Sequence, residues 1–230
     1  MRIVEQSCKW IQELPADALQ VIERAGRTCY KSEAKITADS AAEFVRRIMK
    51  SGHASVIEHV SASMLFVTDR GVTHEQVRHR VATIHDEHED MFHPSPDSYS
   101  QESTRYCNYS RDGFGGEVTY VDPVFWMDRG PGGKDEVKFD TWFETMQYVE
   151  KQYLRLIAEG ATAQEARSVL PNSLKTEIVM TANMREWRHF FTLRTATAAH
   201  PQMRDLACKA LVMFKAAVPV LFDDIVPVAV

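Results

Sequence analysis

The sequence has few cysteines and no long hydrophobic run, and each absence excludes a class of protein. Its 4 cysteines are scattered through 230 residues without a Cys-x-x-Cys pair, so neither a zinc knuckle nor a thioredoxin-type redox site is encoded. No apolar stretch approaches the ~18 residues of a membrane-spanning helix, and the first residues lack the apolar core of a signal peptide. We therefore expect a cytoplasmic protein with reduced thiols and no membrane span.

An excess of positive charge is also absent. The 27 Lys and Arg residues are outnumbered by 32 Asp and Glu residues, which gives a formal net charge of -5. Proteins that coat nucleic acid typically carry a surplus of Lys and Arg, so the composition argues against that class. With 44% hydrophobic residues, the chain can bury a core large enough to fold without disulfides or a metal.

The hydrophobic pattern predicts an α+β fold in a single domain covering residues 1–230, with two loops. Ile84–Tyr99 is acidic, rich in His and broken by prolines, and residues 111–133 contain six of the 10 glycines, so both segments are predicted as loops. Runs rich in β-forming residues predict strands at 2–4 and 60–68. Helical spacing of apolar residues predicts helices near 14–27, 39–52, 69–81, 139–157, 163–169, 184–193 and 201–216.

The densest group of cationic residues is Arg78-His79-Arg80. Neighbouring positions on a helix point about 100° apart, so these side chains should face different partners. A solvated basic helix end, whose positive side chains complement the helix dipole, has the same composition. From composition alone, the solvated surface is the favoured interpretation of this run, and a binding site is the alternative.

A second polar segment, Ser100–Tyr106, combines hydroxyl groups with Arg105. An arginine fork together with hydroxyl and backbone N–H donors can hold a phosphate or another oxyanion. Ser103 has no adjacent His to act as a base, which argues against a serine hydrolase. A polar turn leading into a strand at 106–109 is the structural alternative.

Three further segments carry charged residues near helix ends, and each also fits a purely structural role. The structural roles are, in the order in which the segments are given next, a surface arginine before a helix-ending proline, a half-buried helix with solvated charges, and structural histidines. The segments are Ala166–Pro171 with Arg167, Asn183–Arg194 with Arg185, Arg188 and His189, and Gly52–His59 with His53, Glu58 and His59.

Taken in chain order, these segments resemble the flavin-dependent thymidylate synthases. The family signature is R-H-R-x-x-S, four further residues and S-x-R, and it is similar to Arg78–Thr83 followed by Ser103–Arg105. Thr83 stands in place of the first serine, and nineteen residues instead of four separate it from Ser103, which predicts an insertion at about 84–99. Other family segments match G-H-x-S-x-x-E-H at 52–59, A-R-x-V-L-P at 166–171, N-x-R at 183–185 and L-R with H-P-Q at 193–202.

The resemblance implies an α+β single domain with a mixed sheet and flanking helices, assembled as a homotetramer whose active sites and FAD are shared between subunits. It implies a methyltransferase that converts dUMP to dTMP in nucleotide biosynthesis. Methylenetetrahydrofolate is the implied carbon donor, and NADPH is the implied reductant, acting through FAD. This family uses no cysteine nucleophile, which fits cysteines that have no activating neighbour.

The resemblance also implies roles for individual residues, and it assigns no metal ligand. The implied catalytic residues are Arg194, which matches the arginine that activates the pyrimidine, and Ser103. The implied cofactor-binding residues are His53, Ser55, Arg78, His79, Arg80, Gln101, Asn183, Met184, Arg185 and His189, with Glu58 lining the cavity. The implied dUMP-binding residues are Glu75, Gln76, Val77, Arg78, Gln101, Glu102, Ser103, Thr104, Arg105, Arg167 and Arg194.

Three other interpretations stay open. An FAD-binding or nucleotide-binding relative would keep the fold without making thymidylate. A non-catalytic nucleic-acid-binding module would use Arg78–Arg80 and Arg185–Arg194 and would bind in a steeply salt-dependent manner. A metal hydrolase would use His85, His88 and His93, although no H-E-x-x-H register is present. We expect small-molecule substrates, and neither nucleic acid nor a membrane as partner.

Overall fold

A computed structural model describes residues 1–80, 84–86, 89–93 and 97–228, with the backbone alone for residues 80, 84–86 and 89–93. Helices and strands are mixed along the chain, which confirms the predicted α+β class. In chain order the elements are β1 (Arg2–Val4), β2 (Ser7–Gln12), α1 (Ala18–Cys29), α2 (Ser40–Lys50), β3 (Ser61–Asp69), α3 (Arg70–Gln76), β4 (Ile84–Asp86), β5 (Glu89–His93), β6 (Ser98–Gln101), β7 (Thr119–Val121), α4 (Glu136–Ala158), α5 (Ala163–Ala166), β8 (Lys175–Asn183), α6 (Met184–Arg194), α7 (Pro201–Ala217) and α8 (Pro219–Phe222).

The described strands form three sheets. A four-stranded sheet has the order β2-β3-β8-β6, and two pairs, β1-β7 and β4-β5, stand outside it. Strands β1 and β7 run parallel with Arg2 opposite Thr119. Strands β4 and β5 run antiparallel with Ile84 opposite His93. Among the described residues, no helix combines the length and the hydropathy that crossing a membrane requires.

The predicted loop at Ile84–Tyr99 is corrected by this pairing. Within the predicted loop, Ile84–Asp86 and Glu89–His93 are strands that pair with each other. Pro94, which favoured a loop, lies outside the described residues, and β6 already begins at Ser98. That the segment is an insertion relative to the family pattern stays a prediction.

Two smaller expectations also need correction. The second predicted loop, 111–133, contains strand β7, which is only three residues long and pairs with β1 far away in the sequence. The strand expected at 106–109 does not form, because the backbone N–H groups of Tyr106 and Cys107 both bond to the carbonyl of Ser103 and close a turn.

The chain divides into two compact units, each built from three segments. Unit 1 consists of Met1–Ser7, Phe66–Gln76 and Ser100–Ile178. Unit 2 consists of Cys8–Leu65, Val77–Tyr99 and Val179–Val230. The boundaries of one domain spanning 1–230 stay a prediction.

The core of unit 2 is aromatic and fixes the position of helix α6. Trp187 of α6 is fully buried, and its ring centroid lies 4.8 Å from that of Phe214 on α7. The indole Nε1 donates a hydrogen bond to the carbonyl of Ala62 on β3 at 3.2 Å. At the start of the helix, the Asn183 side chain accepts the N–H of Glu186 at 2.9 Å, as an N-cap should. Helix α6 is therefore held at its beginning and along its buried face.

The core of unit 1 forms around helix α4. Trp142, Met146 and Tyr153 of this helix are buried with Tyr120 of β7 and with Leu174. The Trp142 indole donates a hydrogen bond to the hydroxyl of Ser173 at 3.0 Å. These contacts fix the segment that leads into β8 within unit 1.

Candidate functional site

A network of three polar side chains, of which two are buried and one is half-buried, lies in unit 2. The Nδ1 atom of His79 is 3.2 Å from Glu186 Oε1, and Arg194 donates from Nε to His79 Nε2 at 2.9 Å. His79 and Glu186 are each only 1% exposed. A guanidinium can only donate, so Nε2 of His79 must accept; the ring is then neutral, with its proton on Nδ1 and directed at Glu186.

Helix periodicity brings the members of this network together. Glu186, Phe190 and Arg194 are spaced four residues apart on α6, so they lie on one face of the helix. The ring of Phe190 meets the ring of His79 edge-on, with centroids 5.1 Å apart. His79 lies in the 3-10 turn Val77–Arg80 that follows α3, and the apolar contact keeps water away from its polar bonds.

Burial shifts the titration of these groups. It lowers the pKa of His79 to about 4, helped by the positive charge of Arg194 and opposed by Asp97. It raises the pKa of Glu186 to about 7, against the opposing charges of His189 and Arg185. The second carboxylate oxygen of Glu186, Oε2, is buried and has no hydrogen bond within the described residues. Near neutral pH the imidazole of His79 is therefore neutral, and Glu186 takes up a proton much more readily than an ordinary carboxylate.

Other predicted residues of unit 2 are more exposed. Arg78 is exposed while His79 is buried, which confirms that neighbours in the cationic run face different surroundings. The guanidinium of Arg78 makes no hydrogen bond or ion pair with another described residue. Arg185 pairs with Glu58 at 2.7 Å. The remaining predicted residues of this unit divide as follows: His53, Ser55 and His189 are exposed, Val77 and Asn183 are half-buried, Met184 is buried, and the side chain of Arg80 lies outside the description.

Part of this network has the composition of a metal site. Ligand atoms of His79, Glu186 and His189 lie within 4.8 Å of one another, and two histidines with a carboxylate suit zinc. The guanidinium of Arg194 is bonded to the same imidazole, however, and its positive charge opposes a cation at that place. The side chains of His85, His88 and His93, the ligands of the open hydrolase interpretation, lie outside the described residues.

A second polar cluster lies in unit 1 around Gln101 and Glu102. Gln101 donates to Thr73 Oγ1 at 2.8 Å and to Thr176 Oγ1 at 3.3 Å. Glu102 accepts the hydroxyl of Tyr109 at 2.9 Å and pairs with Lys175 at 3.1 Å. Both predicted substrate residues are thus held in place by neighbours that the sequence did not point to.

Lys175 links two carboxylates in this cluster. Its ammonium lies 3.1 Å from Glu102 and 2.5 Å from Glu177. Burial acts to lower the pKa of Lys175, but its bonds to Glu177 and Glu102 outweigh that effect and raise the pKa. Lys175 therefore stays charged.

The turn at Ser103–Arg105 presents cationic side chains to solvent. The backbone N–H of Arg105 donates to Ser103 Oγ at 3.3 Å, and its guanidinium Nε donates to Gln164 at 2.9 Å. Arg167 reaches the hydroxyl of Thr104 at 3.4 Å. Both arginines are exposed. Among the remaining predicted residues, Glu75 is half-buried, Gln76 is buried, and Thr83 lies outside the description.

A well-formed cavity elsewhere in unit 2 contains none of the predicted residues. It has a volume of about 770 Å³ and lies among α1, α2 and α8, with Trp10, Arg46 and Lys50 in its wall. The cationic residues described above lie outside the wall of this cavity.

Comparisons with known proteins bear on what these clusters do. The family model described as "Thymidylate synthase complementing protein" (Thy1) matches residues 11–220. The chain is 33% identical over 224 residues to a flavin-dependent thymidylate synthase of Geobacter sulfurreducens. This alignment covers 94% of this chain and 85% of the relative. The chain is 30% identical over 228 residues to that of Corynebacterium diphtheriae, covering 93% and 81%.

The chain belongs to the Thy1 family of flavin-dependent thymidylate synthases.

A solved structure shares the fold of this family member. The UMP/dUMP methylase PolB from Streptomyces cacaoi, bound with 5-Br dUMP, superposes with a TM-score of 0.74 at 22% identity. The match covers 97% of this chain and 96% of PolB. The family model and the two relatives confirm the family that the sequence motifs indicated, and the superposition confirms the fold.

The motifs of the family did not point to every residue of the two clusters. Lys175 and the buried Asp97 belong to none of the matched segments. Glu186 lies inside Asn183–Arg194 but outside the N-x-R motif at 183–185. Asn183 followed by Glu186 is typical of a helix capping box, in which the Glu would bond back to the cap. The structure instead directs this carboxylate at His79. The roles of the individual site residues stay predictions.

Proposed function

We propose that this chain is a flavin-dependent thymidylate synthase that reductively methylates dUMP to dTMP. Methylenetetrahydrofolate supplies the carbon, and NADPH supplies the reducing equivalents through FAD. The observation that carries the proposal is the Arg194 guanidinium held by a neutral, buried His79 in a member of this family. A homotetramer with shared active sites and a cytoplasmic location are parts of the same proposal.

The donors of unit 2 fit FAD. Arg78, His53 and Ser55 are exposed, and the guanidinium of Arg78 has no partner among the described residues. Such donors suit the pyrophosphate of a dinucleotide, which an arginine can bind in a bidentate manner. When bound, FAD supplies the hydride chemistry that no side chain provides.

The exposed donors of unit 1 fit the phosphate of dUMP. Arg105 and Arg167 contribute positive charge, and Ser103 adds a hydroxyl at the same turn. Charge-assisted bonds of this kind are about twice as strong as neutral ones and orient the ligand. Gln101 and Glu102, fixed by their own hydrogen bonds, are suited to contact the nucleoside.

Arg194 is the proposed electrostatic catalyst. Electron density must move toward the reacting carbon of the pyrimidine, and a guanidinium beside a ring carbonyl stabilises the negative charge that develops there. A donor aimed at developing charge in a water-excluded site typically contributes about 3 kcal/mol. The bond from Nε to His79 fixes the plane of this guanidinium before the substrate arrives.

The cysteines support a mechanism without a thiolate nucleophile. Burial raises the pKa of Cys8 to about 11, and it also raises the pKa of Cys107 and of Cys208. At neutral pH these three thiols are therefore protonated, and the thiolate is the reactive form of cysteine.

The test is a visible spectrum followed by turnover. We expect a yellow protein with about one flavin per chain, bleached anaerobically by NADPH, that releases tritium from 5-tritiated dUMP only when methylenetetrahydrofolate is present. Flavin without tritium release would favour a nucleotide-binding relative. A colourless protein whose binding to DNA or RNA falls steeply with salt would favour the nucleic-acid-binding module.

A further inference from the structure

A buried carboxylate with no part in the chemistry above lies directly behind His79. Glu186 is 1% exposed, lies 3.2 Å from His79 Nδ1, and has an Oε2 atom without a hydrogen bond among the described residues. Burying a carboxylate costs free energy unless its bonds compensate. A carboxylate kept at this position despite that cost calls for a specific contribution.

The other side of the imidazole shows what that contribution is. Arg194 presents an N–H to Nε2 of His79 at 2.9 Å, so this nitrogen must be unprotonated. Which nitrogen of a neutral histidine carries the proton is set by the hydrogen bond that the other makes. An acceptor at Nδ1 keeps the proton there and leaves Nε2 open. Without Glu186, the proton could move to Nε2 and would then face the N–H of Arg194.

We propose that Glu186 is a positioning residue: it accepts the Nδ1–H of His79, fixes the tautomer in which Nε2 accepts from Arg194, and thereby orients the Arg194 guanidinium. The proposal rests on the proposed function, because there Arg194 acts on the pyrimidine. The proposed role is similar to that of the groups that hydrogen-bond to metal-bound histidines and fix the ring tautomer. Mutation of such groups typically lowers activity by about 10- to 100-fold.

Other charged groups near the network do not supply this acceptor. Asp97 and His189 influence the titration of His79 or Glu186, and Arg185 influences that of Glu186. Among the described residues, Glu186 is the hydrogen-bond partner of the His79 Nδ1 atom, and both side chains are nearly fully buried. The tautomer therefore depends on one carboxylate.

The experiment uses two variants of similar size that differ in one property. Glu186→Gln keeps an oxygen acceptor, whereas Glu186→Met has none. Glu23→Met is the matched control, because Glu23 is also a 1% exposed carboxylate of unit 2 but pairs with Arg27 and Ser40 instead. Nitrogen-15 NMR of histidine-labelled and arginine-labelled protein reports the tautomer of His79 and the solvent exchange of the Arg194 Nε–H, with His79→Asn used for assignment.

We expect the wild type, Glu186→Gln and Glu23→Met to show a protonated Nδ1 on His79 and slow exchange at Arg194. In Glu186→Met, the proton should move to Nε2 and exchange at Arg194 should become fast. The kcat for dTMP formation should fall about 10- to 100-fold in Glu186→Met alone, with little change in the KM for dUMP or in flavin content.

A wild-type His79 that is protonated on Nε2 overturns the proposal, and this measurement requires no variant to fold. An unchanged tautomer in Glu186→Met overturns it as well, as does an equal loss of kcat in Glu186→Gln. A wild type that makes no dTMP overturns the proposed function instead, and the spectra still decide whether Glu186 sets the tautomer and holds Arg194.

Discussion

The two units of this protein treat buried charge in opposite ways. In unit 2, burial drives His79 and Glu186 toward their neutral forms, since it lowers the pKa of the histidine and raises that of the carboxyl. In unit 1, Lys175 stays charged between Glu102 and Glu177, because its bonds raise its pKa despite burial. The difference follows from exposure: His79 and Glu186 are 1% exposed, whereas the side chains of Lys175 and Glu177 are 20% and 44% exposed.

This contrast suits the two proposed tasks. The buried imidazole of His79 holds the direction of one cation, Arg194, by accepting its Nε–H. The exposed Arg105 and Arg167 of unit 1 can instead neutralise and exchange a phosphorylated substrate, since water solvates these charges whenever the substrate is absent. The same residue types therefore serve different purposes because their solvent exposure differs.

The strongest way to break the contrast is to remove the cation that the buried network holds. We expect Arg194→Ala to fold and bind FAD but to lose about 100- to 1,000-fold in kcat, the range for removing one donor from an oxyanion site. Arg188→Ala is the matched control on α6, because Arg188 bonds to Asp224 at 2.7 and 2.6 Å and not to His79. Steady-state assays of dTMP formation measure both variants. Near-normal turnover in Arg194→Ala would remove this residue from the mechanism.

A pH series sharpens the comparison next. The pKa of Glu186 is raised from the ordinary value of 4.5 to about 7. Between these two values, this carboxyl makes the unfolding free energy fall as the pH rises. The pKa of His79 is lowered from the ordinary value of 6.5 to about 4. Between these two values, this imidazole makes the unfolding free energy increase as the pH rises. The two contributions oppose each other, since the folded state binds the extra proton in the first case and the unfolded state binds it in the second.

Removing one of them should uncover the other. Between pH 4.5 and 7, we expect flavin-free Glu186→Gln to gain on the order of 2 kcal/mol of unfolding free energy relative to the wild type. Urea unfolding at several pH values measures the difference. Asp97, His189, Arg185 and Arg194 face the same network and remain in both proteins. Parallel curves would show that Glu186 does not titrate in this window.

The smallest effect is expected in unit 1 and should depend on salt. Lys175→Met leaves Glu102 and Glu177 without their shared cation, so we expect the unfolding free energy to fall by about 1 kcal/mol at low ionic strength. Salt should reduce the difference, because it screens partly exposed charges. The control is Arg155→Met, since Arg155 and Glu159 form a pair that is 69% and 58% exposed. A loss in Lys175→Met that salt leaves unchanged would contradict the assignment of the cluster as solvent-screened.

The periodicity of apolar residues located the long helices but not all strands. Helices α2, α4, α6 and α7 lie close to their predicted positions, because their apolar residues recur at helical spacing. Strand β8 was missed although its side chains alternate between buried and half-buried. Its half-buried residues include Val179 and its buried ones include Thr176, so the two faces differ little in hydrophobicity and the period of two is hidden.

The site was predictable where residues form motifs and not where single side chains complete them. Arg78, Arg105 and Arg194 stand in recognisable segments. Glu186 could not be assigned from the sequence, because Asn183-x-x-Glu also satisfies a helix cap, and only the packing of α6 against His79 directs the carboxylate inward. Lys175 belongs to a strand that the pattern did not reveal, and its partners come from separate segments.

The unequal exposure of the thiols makes this chain easy to label without engineering. Cys29, at the end of α1, is the exposed one of the four cysteines, while the other three are half-buried. A maleimide dye added near neutral pH will therefore attach first at Cys29. With one fluorophore on each protomer, counting photobleaching steps in single particles gives the number of subunits in the assembly directly.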